Sequence, residues 1–123
     1  MSEKFCNGAF RNHPSTKWAA ESLYNTAWLI QHGCALASEY YHRYGKIHTC
    51  AQTLFEAKKL FHRESELAIV CHTQAKDFSR AMPDEWKFDD TIDTFTAYKR
   101  YIASKPWVKD NYLRKPERKP DWI

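Results

Sequence analysis

The chain has 123 residues, of which 43% are apolar and 15% aromatic, and its net charge is +4. That length suits one domain with a real core, and only three glycines and five prolines argue against a low-complexity or disordered chain. No apolar run approaches the roughly 20 residues of a membrane span, and the opening MSEKFCNGAF has no apolar signal region, so the expected location is the cytoplasm.

Residues 1–12 read as an irregular arm, 13–104 as a helical domain and 105–123 as an extended tail. In the domain, Asn12 or Ser15 is placed to cap a helix and Pro14 fits its first turn. Apolar residues then recur at helical spacing through Trp18, Leu23, Ala27, Ile30, Cys34, Ala37 and Tyr41. Trp28, Leu29 and Leu36 widen the stripe, so this helix is expected to be buried over much of its circumference. It should run from about residue 15 to 44, in one piece or two, with Gly33 at a close contact or kink and Gly45 as a left-handed cap.

A second helical segment is expected from near Thr49 through His72, with Leu54, Ala57, Leu60 and Phe61 on one face. The run LAIVCH is too short for periodicity to decide, and is read as a short helix or link. Met82-Pro83-Asp84 marks a turn. Asp89 or Asp90 then caps a last helix whose core face holds Ile92, Phe95, Ala97 or Tyr98, Tyr101 and Ile102. Pro106 ends it, and two Lys-Pro steps favour extended backbone beyond. The fold class is therefore all-α: a compact single-domain bundle of about three to four helices with an extended basic C-terminal tail.

The tail holds most of the charge. Six basic residues (Lys105, Lys109, Arg114, Lys115, Arg118, Lys119) face three acids (Asp110, Glu117, Asp121). With Trp107, Tyr112 and Trp122 among them, such a tail can follow a phosphate backbone and stack on bases. It can also be pinned by its aromatics with its charges left in water. The cysteines Cys6, Cys34, Cys50 and Cys71 form no C-x-x-C pair, and reduced thiols are expected. A zinc set from Cys71, His72, His48 and Cys50 fits no common ligand spacing. No metal or cofactor is predicted.

On the first helix, Trp18, Glu21, Ser22, Asn25, Trp28 and Leu29 share a ridge at 100° per residue. That mixture reads either as a half-buried polar groove or as ordinary helix surface. Further on, EYYHRYGKIH gathers Glu39, Arg43, Tyr44, Lys46 and His48. Each has a plain structural reading: Glu39 and Arg43 form one i,i+4 pair, Lys46 sits in water and His48 caps the next helix. Glu21, Glu39, His42 or His48 could serve as acid or base. No phosphate loop, G-x-S-x-G, H-E-x-x-H or deaminase pattern accompanies them, so no enzyme class has motif support.

The pattern His13-Pro14-x-x-x-Trp18, Glu21-Ser22-x-x-Asn25-x-x-Trp28-Leu29, Glu39-Tyr40-x-x-Arg43-Tyr44-Gly45-Lys46-x-His48 resembles a family of small uncharacterised phage proteins. The tail RKPERKPDW is similar as well. More distantly, the chain resembles phage pyrimidine-dimer DNA glycosylases, compact helical enzymes that bind duplex DNA. In those enzymes the N-terminal amine attacks the sugar and a carboxylate on the first helix assists. This chain departs from them: it begins Met-Ser-Glu, and neither Glu3 nor Glu21 matches that carboxylate. The resemblance implies a helical DNA-contacting scaffold and carries over no glycosylase activity.

The expected function is thus a phage-type nucleic-acid-binding accessory protein without catalysis. Its binding residues would be His13, Trp18, Ser22 and Asn25 in the groove and Glu39, Arg43, Tyr44, Lys46 and His48 at the helix end. Lys115, Arg118, Lys119 and Trp122 would add the tail. The alternatives are a phage protein that docks on a host or phage protein, and a DNA- or nucleotide-modifying enzyme using Glu21, Asn25, Glu39 and His48.

Overall fold

The helix expected over residues 15–44 forms in two pieces, and Ser22 makes the break. The computed structural model describes residues 10–60 and 77–123. Among these are five α-helices, two 3-10 helices and no strand, so the chain is all-α. Its contacts divide it into two compact units, residues 1–76 and 77–123. Each is described by itself.

In the first unit, α1 spans Pro14–Ala20. Neither Asn12 nor Ser15 caps it. Pro14 takes the first position and requires extended backbone before it. His13 supplies that with ψ 137, and its Nδ1 accepts the Ser15 N–H at 3.0 Å. Helix α2 spans Leu23–Tyr44. Ser22 is extended, and its Oγ accepts the Asn25 N–H at 3.1 Å, starting a new helix instead of continuing the old one. At the far end Gly45 is left-handed (φ 65) and donates to the Tyr41 carbonyl at 2.8 Å.

The chain then turns into α3, Ala51–Leu60. The two helices approach closely at Gly33, where an added Cβ would lie 2.5 Å from Leu54 Cδ2. The expected stripe is only partly buried. Trp18 and Ala27 are buried, but Leu23 and Tyr41 are exposed. The break at Ser22 resets the helical phase, and Tyr41 flanks the α2–α3 contact beside Ile47 and Phe55 rather than lying under it. Leu60 is exposed too. Phe61, LAIVCH and the rest of 61–76 lie outside the described residues, as do residues 1–9 of the expected arm.

In the second unit, Met82-Pro83 leads into a single turn, α4 at Asp84–Lys87. Helix α5 spans Thr94–Ala103. Its cap is Asp93, whose carboxylate accepts the Thr96 N–H at 3.0 Å. Asp89, the expected cap, instead closes a local turn by accepting from the Thr91 N–H and hydroxyl. Thr94 and Ala97 are buried and Tyr98 and Tyr101 half-buried, a spacing that defines the inner face of α5. Phe95 and Ile102, expected there, are exposed.

The tail is not extended. It forms two 3-10 helices, Val108–Tyr112 and Pro116–Arg118. Val108 and Tyr112, the first and last residues of the first 3-10 helix, are both buried. Pro116 opens the second turn, where its missing N–H costs nothing, and Lys115 before it keeps a non-helical backbone.

Candidate functional site

Half of the expected groove proves to be the corner that joins α1 to α2. The Asn25 side chain is fully buried, and its Nδ2 donates to the Trp18 carbonyl at 2.8 Å. Thr26 Oγ1 donates to the Ala19 carbonyl at 2.7 Å and the Ser22 carbonyl at 3.2 Å. These side chains reach the last carbonyls of α1, and that of Trp18 also accepts the Glu21 N–H at 3.2 Å. Trp18 is buried edge-on against Trp28, with centroids 5.7 Å apart. Trp28 in turn stacks on His32 at 5.0 Å, and desolvation of the imidazole lowers the His32 pKa below its ordinary value. Trp18, Ser22 and Asn25 therefore have structural work at this corner, and His13 caps the opposite end of α1. The Trp18-to-Leu29 ridge is interrupted at Ser22.

The helix end is a different place. A cleft of about 380 Å³ opens between the last turns of α2 and the segment entering α3. Gly33, Leu36, Leu54, Glu39, Arg43, Tyr44 and His48 are among the residues that line it. Arg43 Nε donates to the Glu39 carboxylate at 2.7 Å. Tyr40 packs against Tyr44 at 4.8 Å with planes 48° apart, and against His48 at 4.9 Å edge to face. His48 Nδ1 accepts the Cys50 N–H at 3.0 Å and so sets the entry to α3. Lys46 is exposed in the turn and does not line the cleft. No protein-family model, curated protein or solved structure matches the chain.

Four of the expected residues thus meet in one cleft. Tyr40, Gly33 and Leu54 complete it, and sequence reasoning had not placed them there. The Tyr40–Tyr44 spacing of four was the available signal, since residues four apart share a helix face, whereas His48 lies past the Gly45 cap. Among the described residues no group of three or more His, Cys, Asp or Glu is placed to hold a metal ion. Cys34 and Cys50 are free thiols. No helix among the described residues is long and apolar enough to cross a membrane.

The second unit holds the tail residues Lys115, Arg118, Lys119 and Trp122, all exposed. The Lys119 ammonium bonds the Ile123 carbonyl at 2.8 Å, and the Lys99 ammonium lies 6.0 Å from the Trp122 ring. Charge is sorted along this unit. Residues 77–93 contain Asp77, Asp84, Glu85, Asp89, Asp90 and Asp93 against Arg80 and Lys87. From Lys99 to Lys119 the balance reverses, with Asp110 and Glu117 the only acids.

Arg80 was not foreseen. Its guanidinium donates to the carbonyls of Trp86, Asp89 and Ile92 at 2.9, 2.7 and 2.6 Å, and Nε reaches Thr94 Oγ1 at 3.5 Å. A rigid fork of five donors suits such a set. Tyr98 assists from α5, donating its hydroxyl to the Ser79 carbonyl at 2.6 Å and accepting from the Ala81 N–H at 3.0 Å. Carbonyl partners leave no trace in a sequence, which is why this centre went unread.

Proposed function

We propose that the chain is a phage-type accessory protein that acts in the host-cell cytoplasm by binding nucleic acid through phosphate contacts. The observation that carries this reading is the run of exposed cations in the second unit. Val108 and Tyr112 are buried and fix the turns, while Lys99, Arg100, Lys109, Arg114, Lys115, Arg118 and Lys119 stay exposed. Trp107 and Trp122 are exposed among them. Cations held on an ordered backbone lose less freedom on meeting a phosphate row than a loose tail would. Exposed indoles offer base-stacking surfaces.

Fluorescence anisotropy with labelled duplex and single-stranded DNA tests it. Binding at 50 mM salt should weaken steeply toward 200 mM as released counterions oppose it. Replacing Lys115, Arg118 and Lys119 together by Ala should flatten the slope of log K against log salt by about 2 to 3. Absence of binding at 50 mM salt refutes the proposal.

A second reading, docking on another protein, is favoured by the large exposed apolar side chains Phe88 (68%), Leu113 (74%) and Trp107 (55%). Affinity purification from infected cells separates the two readings. Recovery of DNA alone counts against docking, and recovery of a stoichiometric protein after nuclease treatment supports it.

A further inference from the structure

Phosphates are offered alike by a duplex and by a single strand, so the cations of the second unit do not choose between them. We infer that the partner is a single strand of DNA or RNA, one of whose bases stacks on the indole of Trp107. This rests on the nucleic-acid reading above and names the form of nucleic acid.

The indole is open. Trp107 is 55% exposed, and among the described residues its ring meets no other ring and its N–H has no acceptor. It is also held. Its carbonyl accepts the Asp110 N–H at 3.0 Å. Val108 beside it is buried and donates its N–H to the Lys105 carbonyl at 3.2 Å. On such a backbone the indole has two side-chain torsions left to lose when a flat group settles on it. Its setting is cationic, with Lys105 and Lys109 two residues away on either side. The Lys105 ammonium is engaged, 4.3 Å from the Tyr101 ring. Those of Lys109 and Lys115 are exposed and, among the described residues, have no partner.

A nucleotide joins a flat base to a phosphate, so an open ring among open ammonium groups can meet both parts. An apolar protein surface would cover the ring but would also take water from those cations. Trp122 is less suited: it is 39% exposed, and the Lys99 ammonium already lies 6.0 Å from its ring. In a duplex the bases stack on one another, and drawing one out onto an indole costs its stacking and pairing. Trp107 therefore favours the strand and leaves the duplex to its phosphates.

The full chain is titrated by fluorescence anisotropy with labelled oligo-dU, oligo-U and a duplex. At 200 mM salt, where counterion release contributes less, the strands should bind more tightly than the duplex. Trp107→Leu should lower the strand-to-duplex affinity ratio about 5- to 150-fold, the worth of one stacked base. It should leave the slope of log K against log salt unchanged, because an indole releases no counterions. Trp107→Tyr, which keeps an aromatic face, should retain most of the ratio. In the wild-type chain, strands and not the duplex should quench tryptophan emission, a readout that stands should Trp107→Leu fail to fold.

A preference for oligo-dU over oligo-U, or the reverse, supports the inference and tells a DNA strand from an RNA one. Duplex binding as tight as that of both strands overturns it and leaves the phosphate reading standing. So does quenching by the duplex as well, or a Trp107→Leu variant that keeps full strand affinity, which would free the ring for a protein partner. No binding of any of the three at 50 mM salt overturns both.

Discussion

Removing the guanidinium of Arg80 should loosen the second unit more than any other single polar change there. In wild type it makes three short bonds to the Trp86, Asp89 and Ile92 carbonyls and a longer one to Thr94. A hydrogen bond with one charged partner is worth about 1.5–3 kcal/mol. The Trp86 carbonyl lies in α4 and those of Asp89 and Ile92 lie between α4 and α5, where water replaces part of what is lost. Arg80→Met should therefore cost about 2–4 kcal/mol rather than the full sum. Arg80→Lys keeps the charge but offers a point donor instead of a fork, and should cost about half as much. Urea unfolding of the full chain followed by circular dichroism gives the stability change. Amide hydrogen exchange locates it, with protection falling first at residues 86–94. If both variants lose less than about 0.5 kcal/mol and exchange over 86–94 is unchanged, Arg80 does not organise this segment.

Three further outcomes follow from the first unit and are read by thermal or urea unfolding. Asn25→Ala should cost about 2–3 kcal/mol through a lost buried bond and an unfilled space. Asn25→Asp should cost more at pH 7, since an acceptor would then face the Trp18 carbonyl; equal stability of wild type and Asn25→Asp would refute a stabilising role for the bond from Asn25 Nδ2 to that carbonyl. Gly45→Ala should cost about 1 kcal/mol, because φ 65 strains an L-residue though nothing crowds the site, and Gly45→Asn should recover part of it. His32 has a lowered pKa from desolvation. The unfolded chain therefore takes up the proton first, so stability should fall as pH drops through about 6.5 toward the folded pKa. His32→Gln should flatten that fall, and an unaltered pH profile would count against it.

What the sequence disclosed was local. Gly45 as a left-handed cap, the Glu39–Arg43 pair and the role of His48 at the next helix all depend on residues a few positions apart. The helix class followed from spacing alone. The break at Ser22 was harder, because the apolar period runs straight across it and only the extended backbone of that residue reveals the new start. Tyr41 illustrates a related limit. It continues the helical spacing of the stripe, yet its ring is exposed beside Ile47 and Phe55. The tail was misjudged because Lys-Pro steps argue for extension one residue at a time, whereas Val108 and Tyr112 gain burial only as a turn. For the cleft, the aromatic and charged part of the lining was visible in EYYHRYGKIH. Gly33 and Leu54 were not, since they meet only through packing.

The sorting of charge along the second unit has a practical side. With a net charge of only +4, the chain should hold to a sulfonate resin weakly if charge acted as a total. A run of exposed cations from Lys99 to Lys119 gathers them in one stretch of the chain, so retention should exceed that of a protein with the same net charge spread evenly. The acids between Asp77 and Asp93 give the same molecule a hold on a quaternary-ammonium resin at neutral pH. A protein that both columns retain in low salt has its charge in regions rather than in a sum.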